Sequence, residues 1–351
     1  MKRFYYIELL RFIAAMSVIL WHYQTFFKPF SSFSSIEITS NKLIQPFYSF
    51  LEIFYNHGHL GVPLFWTISG FVFAHVYLEE KKGTSGKEFF INRFARLYPL
   101  HFATLMMVAF LQIISFKFTE NFQIYNINDL YHFLLHLFFI SGWGFQEGSS
   151  FNNPIWSVSV ELVIYAFFFI SIFYLDKYKI KFAVSVYILL LIMDKSGISG
   201  NYPEPKTFFF DCAKLFFSGI IVFFLYQNFK KKLYLIAISI LLILLSFVGN
   251  FKAFLFFPSV LLLFAGLEMF IYQRLKKPFQ FFGNLTYALY LLHIPVQVLI
   301  ILIFFYLNFS STIFLSNYIF IFYILLMILL SFLCFEFYEK PLNKKIRSFF
   351  S

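Results

Sequence analysis

The chain has 351 residues, of which 60% are hydrophobic, 13% charged and 59 Phe. An ordinary soluble domain is about half apolar, so this composition excludes one and indicates an all-α polytopic integral membrane protein. The formal charge of +11 would suit nucleic acid in a soluble chain. Here the basic residues fall in short clusters between apolar runs, as the positive-inside rule produces, and no nucleic-acid partner is expected.

Apolar runs of roughly 17 to 25 residues recur along the chain, each long enough to cross about 30 Å of hydrocarbon as a helix. The start, "MKRFYYIELL", resembles a signal peptide, but Arg11 interrupts the apolar stretch and no small-residue cleavage site follows, so a retained anchor is expected. Lys2 and Arg3 then set the N-terminus in the cytoplasm, and a first span over about 6–27 runs outward. After a loop over about 28–58, "GVPLFWTISGFVFAHVYL" returns inward to a basic segment holding Lys81, Lys82, Lys87, Arg93 and Arg96. A span over about 98–116 follows, and the apolar stretch 131–140 is too short to cross, which predicts an interfacial or re-entrant helix. Further spans are predicted over about 156–175, 181–193, 207–227, 233–249, 253–272, 285–308 and 317–337. The run 181–193 is short and is required by the basic clusters flanking the next hairpin. The result is about ten spans in a single integral domain over 1–351, with both termini cytoplasmic. Cys212 and Cys334 lie far apart in apolar segments, so they are read as packing residues, with neither a disulfide framework nor a metal site.

Four groups of residues stand out because an ionisable side chain in a span costs a few kcal/mol on insertion scales. Arg11 and His22 are eleven residues apart, which is about 20° of helical rotation and roughly 16 Å of rise, so they share one face. Taken singly, Arg11 could snorkel to headgroups and His22 could be an interfacial ring. Arg93 and Arg96 in "NRFARLYP" fall on one side of a helix at the membrane interface just before Pro99, with Phe90, Phe94 and Leu97 on the other. Paired guanidinium forks suit phosphate, although topology alone also places arginines there. In "NNPIWSVSVELVIY", Ser157 and Glu161 share a face at the outer start of the fourth predicted span, while Ser159 lies on another side. A glutamate near a histidine could orient its ring, and Ser157 could equally cap a helix start. In "GNLTYALYLLHIPV", Tyr287, Tyr290 and His293 fall in the inner half of the ninth predicted span, where a Tyr–His pair reads more readily as structure than as catalysis.

Five motifs in order, "LLRFIAAMSVILWHY", "HLGVPLFWTISGFVFA", "INRFARLYPLH", "NPIWSVSVEL" and "LTYALYLLHIPV", resemble those of the acyltransferase family 3 membrane proteins, which O-acylate bacterial surface and exported glycans. The resemblance covers nearly the whole chain. It implies that Arg11 and His22 are essential, that Arg93 and Arg96 serve the acyl-CoA side, and that Ser159 and Glu161 belong to the active region on the outer side. Trp156, Ser157, Ser159, Tyr290 and His293 are expected as substrate-binding or supporting residues, and Arg11 is expected to meet the acyl-CoA donor as well. Thr286 stands where Ser is frequent before the Tyr. The chain stops soon after "FEFYEKPLNKKIR", so the soluble hydrolase-like domain of some members is not expected.

The expected activity is transfer of an acyl group, most often acetyl, from cytoplasmic acyl-CoA to a hydroxyl of an O-antigen, capsule, exopolysaccharide or related glycan at the bacterial inner membrane. His22 is expected to act as general base, with an acyl-His22 intermediate as an alternative. No permanently bound cofactor and no metal are expected. The rival from another class is a glycan transporter or flippase, which also places ionisable groups inside spans.

Overall fold

The computed structural model describes residues 3–27, 42–80, 82–196 and 204–350, with Lys42 and 204–207 described by backbone alone. Lys2, Lys81 and the loop segment 28–41 therefore lie outside the described residues. The helices are α1 (Tyr5–His22), α2 (Tyr48–His57), α3 (Gly61–Ala74), α4 (Gly86–Thr119), α5 (Leu130–Leu137), α6 (Trp156–Tyr178) and α7 (Ile180–Lys195). They continue as α8 (Glu204–Asn228), α9 (Lys232–Ser246), α10 (Ala253–Leu267), α11 (Gln273–Tyr306), α12 (Asn317–Cys334) and α13 (Lys340–Phe350). No strand occurs among the described residues.

Eight helical stretches are long and apolar enough to cross a membrane. The protein is an all-α, multi-pass membrane protein. The two remaining predicted spans are also helical but short: α7 has 16 residues and α9 has 15. Helix α5 has eight residues, about 12 Å of rise, far less than the hydrocarbon thickness. Asp129 caps it, accepting from His132 N at 2.8 Å.

Two helices differ from the sequence expectation. Arg93 and Arg96 do not sit on a separate interfacial helix; α4 is one 34-residue helix with Pro99 inside it. A proline frees the carbonyl four residues back and is tolerated where neighbouring helices pack closely; here Tyr338 packs against the turn and donates to Pro99 O at 3.2 Å. Helix α11 begins at Gln273, well before the predicted start near 285, so Tyr290 and His293 occupy its middle rather than the inner half of a shorter span.

Helix α3 is the centre of the bundle, packed against α1, α6, α8 and α10. Its approach to α8 needs glycine on both sides: a Cβ on Gly70 would overlap the Phe216 carbonyl, and one on Gly219 would overlap the Thr67 carbonyl. Small residues bring helix backbones together where lipid supplies no hydrophobic drive. Aromatic rings fill the space around this crossing, with Phe73 stacked on Tyr165 at 4.2 Å and edge-on to Phe216 at 5.5 Å. The outward apolar faces, such as Phe110, Ile113 and Phe116 on α4 or Ile321, Phe322 and Leu325 on α12, are exposed, as lipid-facing surfaces are in a membrane bundle.

Candidate functional site: two adjoining cavities

Two cavities lie along α1, one at the level of Arg11 and one at the level of His22. The first, of about 280 Å³, is lined by Arg11, by Arg93 and Arg96 of α4 and by Arg347 of α13. Among the described residues, Glu161 is its one lining carboxylate. Two guanidiniums have carboxylate partners on the protein: Arg11 Nη1 lies 3.0 Å from Glu8 Oε2, and Arg96 Nη1 lies 2.8 Å from Glu339 Oε2. Arg93 has no carboxylate within salt-bridge distance among the described residues; its guanidinium lies over the Phe73 ring at 4.9 Å, and its Nε lacks a hydrogen-bond partner. Even with Glu8 and Glu339 pairing two of the four guanidiniums, the cavity keeps an excess of positive charge that suits an anion, and planar forks grip phosphate bidentately.

The helical phase of α4 explains this placement. Arg93 and Arg96 point into the bundle while Phe90 and Phe94 remain exposed outside. Leu97, expected beside those two rings, lines the cavity instead, because it follows Arg93 by four residues and shares its face.

The second cavity, of about 630 Å³, is lined by His22, Trp21, Trp66, Tyr125, Trp156 and Asp211, among others. His22 Nδ1 lies 2.9 Å from Val18 O. A carbonyl only accepts, so Nδ1 carries the hydrogen, and in the neutral ring Nε2 is the basic nitrogen. The end of α1 is fixed by Gln297, whose Nε2 donates to His22 O at 3.0 Å while its Oε1 accepts from Thr25 Oγ1 at 2.9 Å. The ring of fully buried His293 lies 4.7 Å from that of His22.

Val62, Trp66 and Tyr290 line both cavities and so form the wall between them. Tyr290 donates to Pro154 O at 2.8 Å, and its oxygen lies 2.8 Å from Ser157 Oγ. Ser157 therefore ties α6 to α11 rather than capping a helix start.

The remaining residues of the sequence reading divide by helix face. Trp156 lines the His22 cavity, against Phe208 at 4.4 Å and edge-on to Trp66 at 5.8 Å. Ser159 lines neither cavity: its Oγ accepts from Gly142 N at 2.8 Å and donates to Trp156 O at 2.7 Å, holding the turn at Ser141–Trp143 against α6. Glu161, expected beside His22, lines the arginine cavity with Ser69 and Tyr165. Helix α6 runs from one cavity to the other, and the turn between Ser157 and Glu161 carries the carboxylate past Tyr290. Cys212 and Cys334 are free thiols, and no cluster of metal-ligating side chains occurs among the described residues.

Three residues escape the sequence reading. Asp211 and Lys214 stand three apart inside the apolar run "FFFDCAKLFF", a visible signal of intramembrane charge. In the sequence Arg347 is one more basic residue after the last span, and only the packing of α13 along α4 brings it to the cavity.

Comparison with known proteins gives this geometry a family. The family model described as an acyltransferase domain, acyltransferase 3, matches residues 4–336. The chain belongs to this family. A relative from Staphylococcus aureus strain COL, provisionally named an O-acetyltransferase, is 28% identical over 286 residues, covering 68% of this chain and 46% of that protein. One from Acidianus two-tailed virus, provisionally named an acetyltransferase, is 24% identical over 259 residues, covering 69% of this chain and 74% of that protein. This acyltransferase 3 member thus spans under half the length of its Staphylococcus aureus relative. No solved structure matches it.

Proposed function

We propose that this acyltransferase 3 member is a membrane O-acyltransferase that moves an acyl group, most often acetyl, from cytoplasmic acyl-CoA to a saccharide hydroxyl. The observation that carries the reading is the shared wall: an arginine-lined cavity and a cavity holding His22 meet at Val62, Trp66 and Tyr290. The family match and the names of the relatives support acyl transfer as the chemistry. The acceptor is an exported glycan such as O-antigen, capsule or exopolysaccharide, and the setting is a bacterial inner membrane with both chain termini in the cytoplasm.

In this reading Arg93, which has no carboxylate partner among the described residues, grips CoA phosphate together with Arg96 and Arg347. Arg11 meets the donor farther in, and Glu161 balances the guanidiniums around it. The pantetheine arm spans the roughly 16 Å between Arg11 and His22 and brings the thioester past Tyr290. His22 Nε2 takes the proton of the acceptor hydroxyl as its oxygen attacks the thioester carbonyl. The carbon–sulfur bond then breaks, and the imidazolium returns the proton to the CoA thiolate. Trp156, Ser157, Tyr290 and His293 support acceptor and ring positions.

Membrane vesicles given radiolabelled acetyl-CoA and native glycan test this. Transfer is expected to fall by about 10²–10⁴-fold in His22→Ala, the usual range for a general base. In Arg93→Ala the donor KM is expected to rise. Full transfer by either variant would overturn the mechanism, and glycan retained inside deletion cells would favour transport instead.

A further inference from the structure

The His22 cavity has a charged corner that the acyl-transfer reading leaves unused. Lys214, 1% exposed, sits between two carboxylates: Nζ lies 2.7 Å from Asp194 Oδ2 of α7 and 2.9 Å from Asp211 Oδ1, one turn back on α8. The Phe254 ring lies 4.0 Å from Nζ. Lys214 is thus fully committed to the protein, while Asp211 keeps 39% of its side chain exposed and lines the cavity. The salt bridge uses Asp211 Oδ1, so Oδ2 remains available to accept.

The same cavity carries the aromatic side chains of Trp66, Trp156 and Tyr125. A cavity that offers both a carboxylate held by a salt bridge and aromatic rings fits a pyranose: the carboxylate accepts from neighbouring hydroxyls while the C–H face of the sugar lies on a ring. The exposed Asp211 carboxylate also disfavours an acidic sugar.

We propose that Asp211, positioned by Lys214, binds hydroxyls of a neutral or amino sugar in the acceptor and so selects which hydroxyl meets His22. The selection of a hydroxyl rests on the acyl-transfer reading; the binding of sugar at Asp211 does not, so the two fail separately.

The test is saccharide binding by the purified full chain in lipid nanodiscs, read by tryptophan fluorescence, since Trp21, Trp66 and Trp156 line the cavity. The probes are methyl glucoside, methyl mannoside, methyl glucosaminide and the methyl glucuronide. Wild type is expected to bind at least one of the first three, with the glucuronide weaker by about tenfold. Asp211→Asn is expected to weaken that binding by about tenfold or more, the usual effect of losing a charged hydrogen-bond acceptor, and to lift discrimination against the glucuronide. Asp211→Glu keeps the charge against Lys214 and is expected to reorder the preferences among the sugars; it decides the matter if the Asn variant does not fold. No binding of any probe by wild type, or an unchanged order and affinity in the folded variants, overturns the proposal. Sugar binding that depends on Asp211 without acyl transfer would overturn the proposed function and leave this site standing. Acyl transfer with binding indifferent to Asp211 would do the reverse.

Discussion

The imidazoles of His22 and His293 lie 4.7 Å apart with their planes inclined by 51°, joining the C-terminal end of α1 to the middle of α11. His293 is fully buried and lines neither cavity, whereas His22 lines one of them. The two histidines therefore have separable roles. His293→Ala is expected to destabilise the bundle by about 2–4 kcal/mol through the void it leaves and to lower transfer less than His22→Ala does. Thermal unfolding of the two variants in detergent, set beside their transfer rates, checks this; equal stability with equal loss of rate would contradict it.

Arg96 and Glu339 form the most enclosed ion pair of the arginine cavity, at 2.8 Å with the carboxylate side chain 4% exposed. Removing one partner of such a pair strands the other charge. Arg96→Ala is expected to cost about 3–5 kcal/mol, more than the paired change Arg96→Ala with Glu339→Ala. A double-mutant cycle on unfolding midpoints gives the coupling, and additive effects would contradict it.

The α3–α8 crossing depends on the absence of a side chain at Gly70, where a Cβ would overlap the Phe216 carbonyl. Gly70→Val is expected to force the helices apart and abolish the accumulation of folded protein, and Gly70→Ala to reduce it. Membrane yield measured by a fused fluorescent reporter decides this; normal yield of the Val variant would contradict it.

On the short helix α5, burial first, then the neighbouring His101 and His132, pushes the His136 ring down to about 3. Its Nε2 is 3.0 Å from Ser150 Oγ. An unfolded histidine takes up its proton near pH 6.5, so below that the unfolded chain binds more protons than the folded one. Stability from this group is full above about 6.5 and is lost as pH falls toward about 3. Between pH 7 and pH 5 the loss is expected to be about 2 kcal/mol, and His136→Gln is expected to remove it. Unfolding midpoints at the two pH values measure the difference.

Sequence periodicity and helix pitch determined much of this molecule by themselves. A run of apolar residues in lipid has no stable alternative to a helix, so the spans are legible from hydropathy. The shared face of Arg11 and His22 and the pairing of Arg93 with Arg96 follow from the same fixed geometry. What the sequence could not determine is where distant helices cross. That crossing puts Glu161 with the arginines rather than with His22, sets His293 against His22, and brings Arg347 back along α4. It also makes Asp211 a wall of the His22 cavity. Such placements depend on contacts like the glycine-mediated approach of α3 to α8 and on α4 and α11 continuing through prolines. Local pattern carries no record of these contacts, because they are fixed by packing among segments far apart in the chain.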